Sequence, residues 1–167
     1  IGVIILNLQM DGRKADNYSS NAQKIRVITE DWVNNNMFCP YCGNKYVSHF
    51  ENNRPVADFF CPSCKEEYEL KSKGASISNK INDGAYNTMI ERITSINNPN
   101  FFFMHYNKIS LQIENFVMVP KYFFSPDIIE KRKPLAETAR RAGWTGCNIL
   151  LNRIPNEGRI YIVQNEK

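Results

Sequence analysis

The stretch Pro55-Val56-Ala57-Asp58-Phe59-Phe60-Cys61-Pro62-Ser63-Cys64, running on to Tyr68-Glu69-Leu70-Lys71-Ser72, reads as two short strands joined by a tight turn. Apolar residues fill Val56 to Phe60, a second strand is expected around Tyr68 to Ser72, and the Cys-Pro-Ser-Cys turn between them predicts an antiparallel hairpin. Strand alternation puts Glu69 and Lys71 on one face, with Tyr68 and Leu70 on the other. Antiparallel pairing then brings Asp58 beside Glu69 and Lys71. Two carboxylates and a lysine on a core-facing strand pair are costly unless they have work to do.

The chemistry that suits this trio is divalent-metal hydrolysis of a phosphodiester. Asp58 and Glu69 offer the hard oxygens that Mg²⁺ prefers. Such a metal polarises the phosphoryl group and acidifies the attacking water. Lys71 would orient or deprotonate that water, or neutralise developing charge. An Asp followed some ten residues later by Glu-x-Lys also arises by chance, and an exposed Glu–Lys pair on a surface hairpin is the bland alternative. The apolar strands on both sides, and the metal staple in the same hairpin, favour the catalytic reading.

That staple is Cys39-Pro40-Tyr41-Cys42 with Cys61-Pro62-Ser63-Cys64, two Cys-x-x-Cys knuckles separated by eighteen residues. Each knuckle supplies two thiolates from one turn, which is how proteins build a closed tetrahedral Zn²⁺ site. Four protein ligands leave no open position, so the expected zinc is structural. Two disulfides or a redox pair are the alternatives; the absence of a secretory leader and the matched pairs argue against them. Cys147 has no partner and reads as a small buried side chain. His49 reads as a solvated loop histidine, and His105 as a strand or surface position.

Outward from the hairpin, Ser20 to Asn36 has the period of an amphipathic helix, with Ser19 or Ser20 as cap and Ile25, Ile28, Trp32 and Val33 on its apolar face. A cysteine-bearing loop is expected from Met37 to Asn53. A second helix is expected to start near Asn82 or Asp83, with Tyr86, Met89, Ile90 and Ile93 buried. Phe101–Tyr106 and Ile113–Val119 are near-continuously apolar, as in strands covered on both faces. Lys121 to Gly146 reads as a long basic segment with a helical turn after Pro134, and two closing strands follow near Cys147–Leu151 and Arg159–Val163. The sum is an α/β fold, a mixed sheet flanked by helices.

The net charge of +4 is concentrated: Lys121 to Arg159 holds eight basic and four acidic residues, which is the whole excess. This asymmetry suits a polyanion, although a solvated basic face is the plainer reading of charge alone. Lys131, Arg132, Lys133, Arg140 and Arg141 are the candidate phosphate contacts. Trp144, after Gly143, either stacks on bases or belongs to the core. No apolar run approaches a membrane span, and a cytoplasmic protein is expected.

Several strings resemble one family. They are His49 to Asp58, the two knuckles, Glu69-Leu70-Lys71-Ser72-Lys73, Ile81 to Tyr86, Asn98 to Phe103, Arg132 to Ala136, and Thr138-Ala139-Arg140-Arg141-Ala142-Gly143-Trp144 with Gly146 to Ile149. From about Ser20 to Gln164 the chain resembles the catalytic domain of the DpnI-like methyl-directed type II restriction endonucleases, of the PD-(D/E)xK superfamily. The resemblance implies a restriction-endonuclease-like core with an inserted four-cysteine zinc site across 37–64. It also implies Mg²⁺-dependent cleavage of double-stranded DNA carrying N6-methyladenine in GATC; a monomer in solution is expected. Residue by residue, it makes Asp58, Glu69 and Lys71 the catalytic set and the Leu70 carbonyl a further metal ligand. Ala57 stands where the family pattern has Pro. The family's C-terminal winged-helix domain is not in this chain, which lacks an initiator Met and is expected to be a piece of a longer one. Residues 1–19 are expected to stand apart as a partly disordered segment, with 20–167 as the nuclease domain. A zinc-stabilised DNA-binding module with an inactive core, and a repair nuclease without methyl preference, remain the alternatives.

Overall fold

The computed structural model describes residues 5–51 and 57–167. The first helix, α1 (Asn21–Asn36), lies where the periodicity places it, with Ile28, Trp32 and Val33 buried. Ser20 occupies the N-cap without a side-chain bond to the helix. At the other end, the Asn35 and Asn36 side chains bond the carbonyls of Asp31 and Trp32, competing with continuation of the helix.

Two short strands follow, β1 (Ser48–His49) and β2 (Phe59–Phe60), then β3 (Glu67–Lys73) and β4 (Lys80–Ala85). The helix α2 (Tyr86–Thr94) precedes the long pair β5 (Asn100–Tyr106) and β6 (Ile113–Val119). The chain ends through β7 (Ile129–Lys131), β8 (Gly146–Leu150) and β9 (Ile160–Val163). A six-stranded mixed sheet runs β1-β2-β3-β5-β6-β9, and a three-stranded sheet runs β4-β8-β7. In the larger sheet only β3 and β5 are parallel.

Alternation along β5 explains both cores. Phe102 and Met104 face α1, where they join Trp32, Val33, Phe116 and Met118. Phe101 and Phe103 face the opposite way, onto Met89 and Ile93 of α2 and Ile149 of the smaller sheet. Tyr68 stacks on Phe102 with ring centroids 4.5 Å apart and planes 3° from parallel. Each buried aromatic of this kind contributes about 2–3 kcal/mol through burial. No helix among the described residues is long and apolar enough to cross a membrane.

Four expectations need correction. Residues 5–19 do not stand apart: Met10 and Ala15 are buried in the α1-side core, and Gln9 bridges to Gln112. The segment around Asn82 and Asp83 is strand, because Lys80–Ala85 pairs antiparallel with β8, and the helix starts only at Tyr86. Between Pro134 and Gly146 there is no helix, only hydrogen-bonded turns such as Ala139 N–H to the Ala136 carbonyl; residues 132–146 extend the β7–β8 hairpin to a tip. Among the described residues, the strand expected from Val56 to Phe60 is sheet only at Phe59–Phe60; Val56 itself, with Pro55 and Asn53, lies outside the described residues.

Candidate functional site

The cysteine cluster is built from two turns with the same hydrogen-bond pattern. In the first, Cys39 N–H donates to the Asn44 carbonyl and Gly43 N–H to the Cys39 carbonyl; in the second, Cys61 N–H donates to Glu66 and Lys65 N–H to Cys61. Gly43 (φ 79°) and Lys65 (φ 68°) occupy the same left-handed position four residues after the leading cysteine. The four sulfurs lie within 4.8 Å of one another. Cys39 and Cys64 are 3.7 Å apart, and Cys42 and Cys61 3.6 Å. Those spacings exclude disulfides, whose sulfurs sit about 2.05 Å apart. They match the edge of about 3.8 Å that a tetrahedron with Zn–S bonds of about 2.3 Å requires. Tyr68, its phenol kept protonated by burial, places its hydroxyl 3.0 Å from Cys39 Sγ. The fifth cysteine, Cys147, is fully buried, as its sequence context suggested.

The knuckle turn between β2 and β3 delivers the charged trio. Phe59 pairs with Tyr68 and Phe60 with Glu67, so the next position, Asp58, falls opposite Glu69. Because β2 stops there, the outer edge of β3 beyond Tyr68 has no strand beside it among the described residues. Asp58 takes that place: its Oδ2 accepts from Leu70 N–H at 2.7 Å. Burial chiefly, with help from Glu69 and Glu30, pushes the Asp58 carboxyl up to about 6 despite this bond. Oδ1 makes no hydrogen bond with a described residue. This is a carboxylate short of positive charge.

Glu69 and Lys71 share one face of β3, as alternation requires, beside Phe101 and Phe103 on β5. Glu69 is buried, and both its oxygens accept from Arg92 Nη1, at 2.8 and 2.7 Å. Lys71 Nζ lies 3.2 Å from Glu69 Oε1 and 2.6 Å from Asp83 Oδ1. Burial opposes the charge of Lys71, but Glu69 and Asp83 outweigh it and hold its pKa above the ordinary lysine value. A cavity of about 430 Å³, lined by Thr29, Glu30, Asp58, Glu69, Lys71 and Asn82 among others, opens onto the trio. A larger cavity, about 510 Å³, lies against β5, β6 and β9 near His105, Arg159 and Tyr161 and touches none of the three.

Sequence reasoning missed two of these groups. Arg92 has no place in the sequence reading, although its position three residues after Met89 and beside Ile93 puts it on the buried face. Asp83, with Asn82, is expected from sequence only at the start of a helix. His49 also differs from expectation: it lies on β1, half-buried, with Nε2 2.9 Å from Glu30 Oε2 and its ring edge-on to Phe59. The Leu70 contact at the site is through its N–H.

The basic segment forms the projecting end of the smaller sheet. Arg132 N–H bonds the Gly146 carbonyl, Leu135 N–H bonds Trp144, and Gly143 N–H bonds Leu135, closing a tip over residues 136–143. Lys131, Arg132, Lys133, Arg140 and Arg141 are all exposed on it. Lys131 Nζ sits 5.3 Å from the Tyr86 ring centre, and the Arg141 guanidinium lies 4.6 Å above the Trp144 ring. Trp144 is half-buried, its edge against Gly146, where a Cβ would come within 2.9 Å of ring carbons. It is therefore neither core nor free platform.

A buried carboxylate-and-lysine cluster at an open strand edge, a four-cysteine cluster in the adjoining turn and a basic hairpin tip coincide with a match to one family model. That model, described as DpnI: Dam-replacing family, matches residues 6–167, nearly the whole chain. The chain belongs to the DpnI, Dam-replacing family.

Proposed function

We propose that this chain is a Mg²⁺-dependent endonuclease that hydrolyses phosphodiester bonds of adenine-methylated double-stranded DNA, at GATC sites. Family membership supports a DNA-acting restriction nuclease in general, and the methyl-adenine and GATC preferences follow from the sequence resemblance. The observation that carries the catalytic reading is the convergence of Asp58, Glu69 and Lys71 at the open edge of β3.

The donor set fits a hard divalent cation. Asp58 has a spare oxygen and a carboxyl that burial leaves poorly stabilised as an anion, and Glu69 supplies a second carboxylate from the facing position. Mg²⁺ held there by Asp58, Glu69 and the Leu70 carbonyl would polarise the scissile phosphate and acidify a water. Lys71, kept cationic, would orient the attacking water and balance negative charge that grows on the phosphate. Lys131, Arg132, Lys133, Arg140 and Arg141 would take phosphate oxygens. Trp144, clamped under Arg141, would present an apolar edge to a base.

Zinc held by Cys39, Cys42, Cys61 and Cys64 would be structural, since a sphere of four thiolates leaves no open position. The test is digestion of duplexes with methylated and unmethylated GATC by zinc-loaded protein in Mg²⁺. Cleavage confined to the methylated duplex and lost in Asp58→Ala and Lys71→Ala is the expected result. Equal cleavage of both duplexes identifies a nuclease without methyl preference, and salt-sensitive binding without cleavage identifies a recognition module.

A further inference from the structure

Two members of the trio are held from outside the hairpin, Glu69 by Arg92 of α2 and Lys71 by a carboxylate. That carboxylate, Asp83, belongs to the other sheet. Strand β4 carries it in register with Cys147 of β8, and a bulge between Asp83 and Ala85 breaks the ladder just there. Bulges bend a strand and re-aim a side chain, and here the carboxylate reaches across to β3. Its Oδ1 accepts from Lys71 Nζ at 2.6 Å and from Gly84 N–H at 2.7 Å.

Two features set this contact apart from an ordinary ion pair between sheets. The Asp83 side chain is only 8% exposed, yet its Oδ2 is buried with no hydrogen-bond partner among the described residues. A buried carboxylate oxygen left unpaired is destabilising, so a pair serving only to join the sheets would be better replaced by apolar contact. Lys71 is also shared unequally, 2.6 Å to Asp83 against 3.2 Å to Glu69. Glu69 has Arg92 on both its oxygens and does not depend on Lys71. The lysine therefore depends more on Asp83 than Glu69 depends on the lysine.

Building on the proposed nuclease reading, we propose that Asp83 is a positioning residue that holds the Lys71 ammonium at the phosphate side of the site, independently of Glu69. When Glu69 turns to a cation, Asp83 keeps Lys71 in place, and its spare Oδ2 accepts a second ammonium hydrogen. Asp83 touches neither substrate nor metal; it acts through Lys71. Loss of such an orienting partner costs about 10–100-fold in activity.

The test compares wild type, Asp83→Asn, Asp83→Glu, Lys71→Ala and the Lys71→Ala/Asp83→Asn double variant, all zinc-loaded. Asp83→Asn is expected to lower kcat about 10–100-fold per folded molecule while KM and DNA affinity in Ca²⁺ stay within about twofold. Asp83→Glu should recover part of kcat, and Asp83→Asn should add little in the Lys71→Ala background. In protein free of DNA and Mg²⁺, acetylation of Lys71 followed by mass spectrometry should quicken severalfold in Asp83→Asn, with exposed Lys133 unchanged. A kcat loss that persists in the Lys71→Ala background, or one that vanishes when corrected for folded fraction, would overturn the proposal. If wild type fails to cleave DNA, the nuclease reading falls, and the acetylation result still decides: an unchanged Lys71 rate sinks the positioning role as well.

Discussion

Replacing Asp58 by Asn should make the Mg²⁺-free protein more stable, even though Asp58 stands at the centre of the proposed chemistry. Burial, with Glu69 and Glu30 nearby, raises this carboxyl from its ordinary 3.8 to about 6. The folded state therefore binds more protons than the unfolded chain between those values, so stability falls as pH rises through that window and the full cost is in place above it. The shift corresponds to roughly 3 kcal/mol at pH 7.5, and water at the open edge of β3 reduces it to about 2 kcal/mol. Asn keeps the acceptor for Leu70 N–H and removes the charge, so Asp58→Asn should gain about 2 kcal/mol at pH 7.5. By about pH 5 the gain should shrink by roughly half, since the wild-type carboxyl is by then mostly protonated in the folded state. Urea unfolding at the two pH values, with zinc present and Mg²⁺ absent, reads this directly. Adding Mg²⁺ should then stabilise the wild type and leave the variant unmoved. A variant less stable than wild type at pH 7.5, a pH-independent difference, or equal stabilisation of both by Mg²⁺ would refute the reasoning.

Stripping zinc with a strong chelator should abolish cleavage, and Mg²⁺ alone should not restore it; restored cleavage in metal-analysed, zinc-free protein would contradict the structural role. Arg92→Met should cost about 2 kcal/mol in thermal or urea unfolding, because buried Glu69 loses its two charge-assisted bonds and keeps only Lys71. Lys65→Gly should gain about 1 kcal/mol, since Lys65 has φ 68° at the position that Gly43 fills in the other knuckle; a loss of stability would show that the Lys65 Nζ bond to the Pro62 carbonyl outweighs the backbone relief.

The parts of the molecule that were legible in the sequence are those in which spacing alone does the work. Two Cys-x-x-Cys turns specify their own geometry, and Glu69 and Lys71 fall on one face of a strand whatever surrounds it. Phe101–Tyr106 and Ile113–Val119 carry enough apolar residues that both faces had to be covered, and they are. The smaller sheet was not legible because its strands have little pattern: in Lys80–Ala85 only Ile81 is buried, and the strand exists because β8 pairs with it some sixty residues later. Asn82 and Asp83 look like helix caps in isolation, and only the non-local pairing turns Asp83 toward Lys71. Arg92 escaped for a related reason. A helix charge is solvated unless a buried acid faces it, and Glu69 faces it only after β3 and α2 have packed.

The hairpin explains why a catalytic arrangement would be tied to a structural metal. Strands β1 and β2 have two residues each, and the β2–β3 ladder consists of two residue pairs. So short a ladder does not fix register by itself, because isolated strand pairs are marginal in water and a one-residue slip reverses every side chain. A longer β2 would secure the register, but it would also cover the edge of β3 where Asp58 bonds Leu70 and where the proposed substrate would enter. The knuckles resolve the conflict by moving the restraint to the turn: Cys61 leads directly from Phe60, and its partners Cys39 and Cys42 anchor that turn to the end of α1. The edge stays open, and the spacing between Asp58 and Glu69 is set by thiolates on the far side of Phe59 and Phe60.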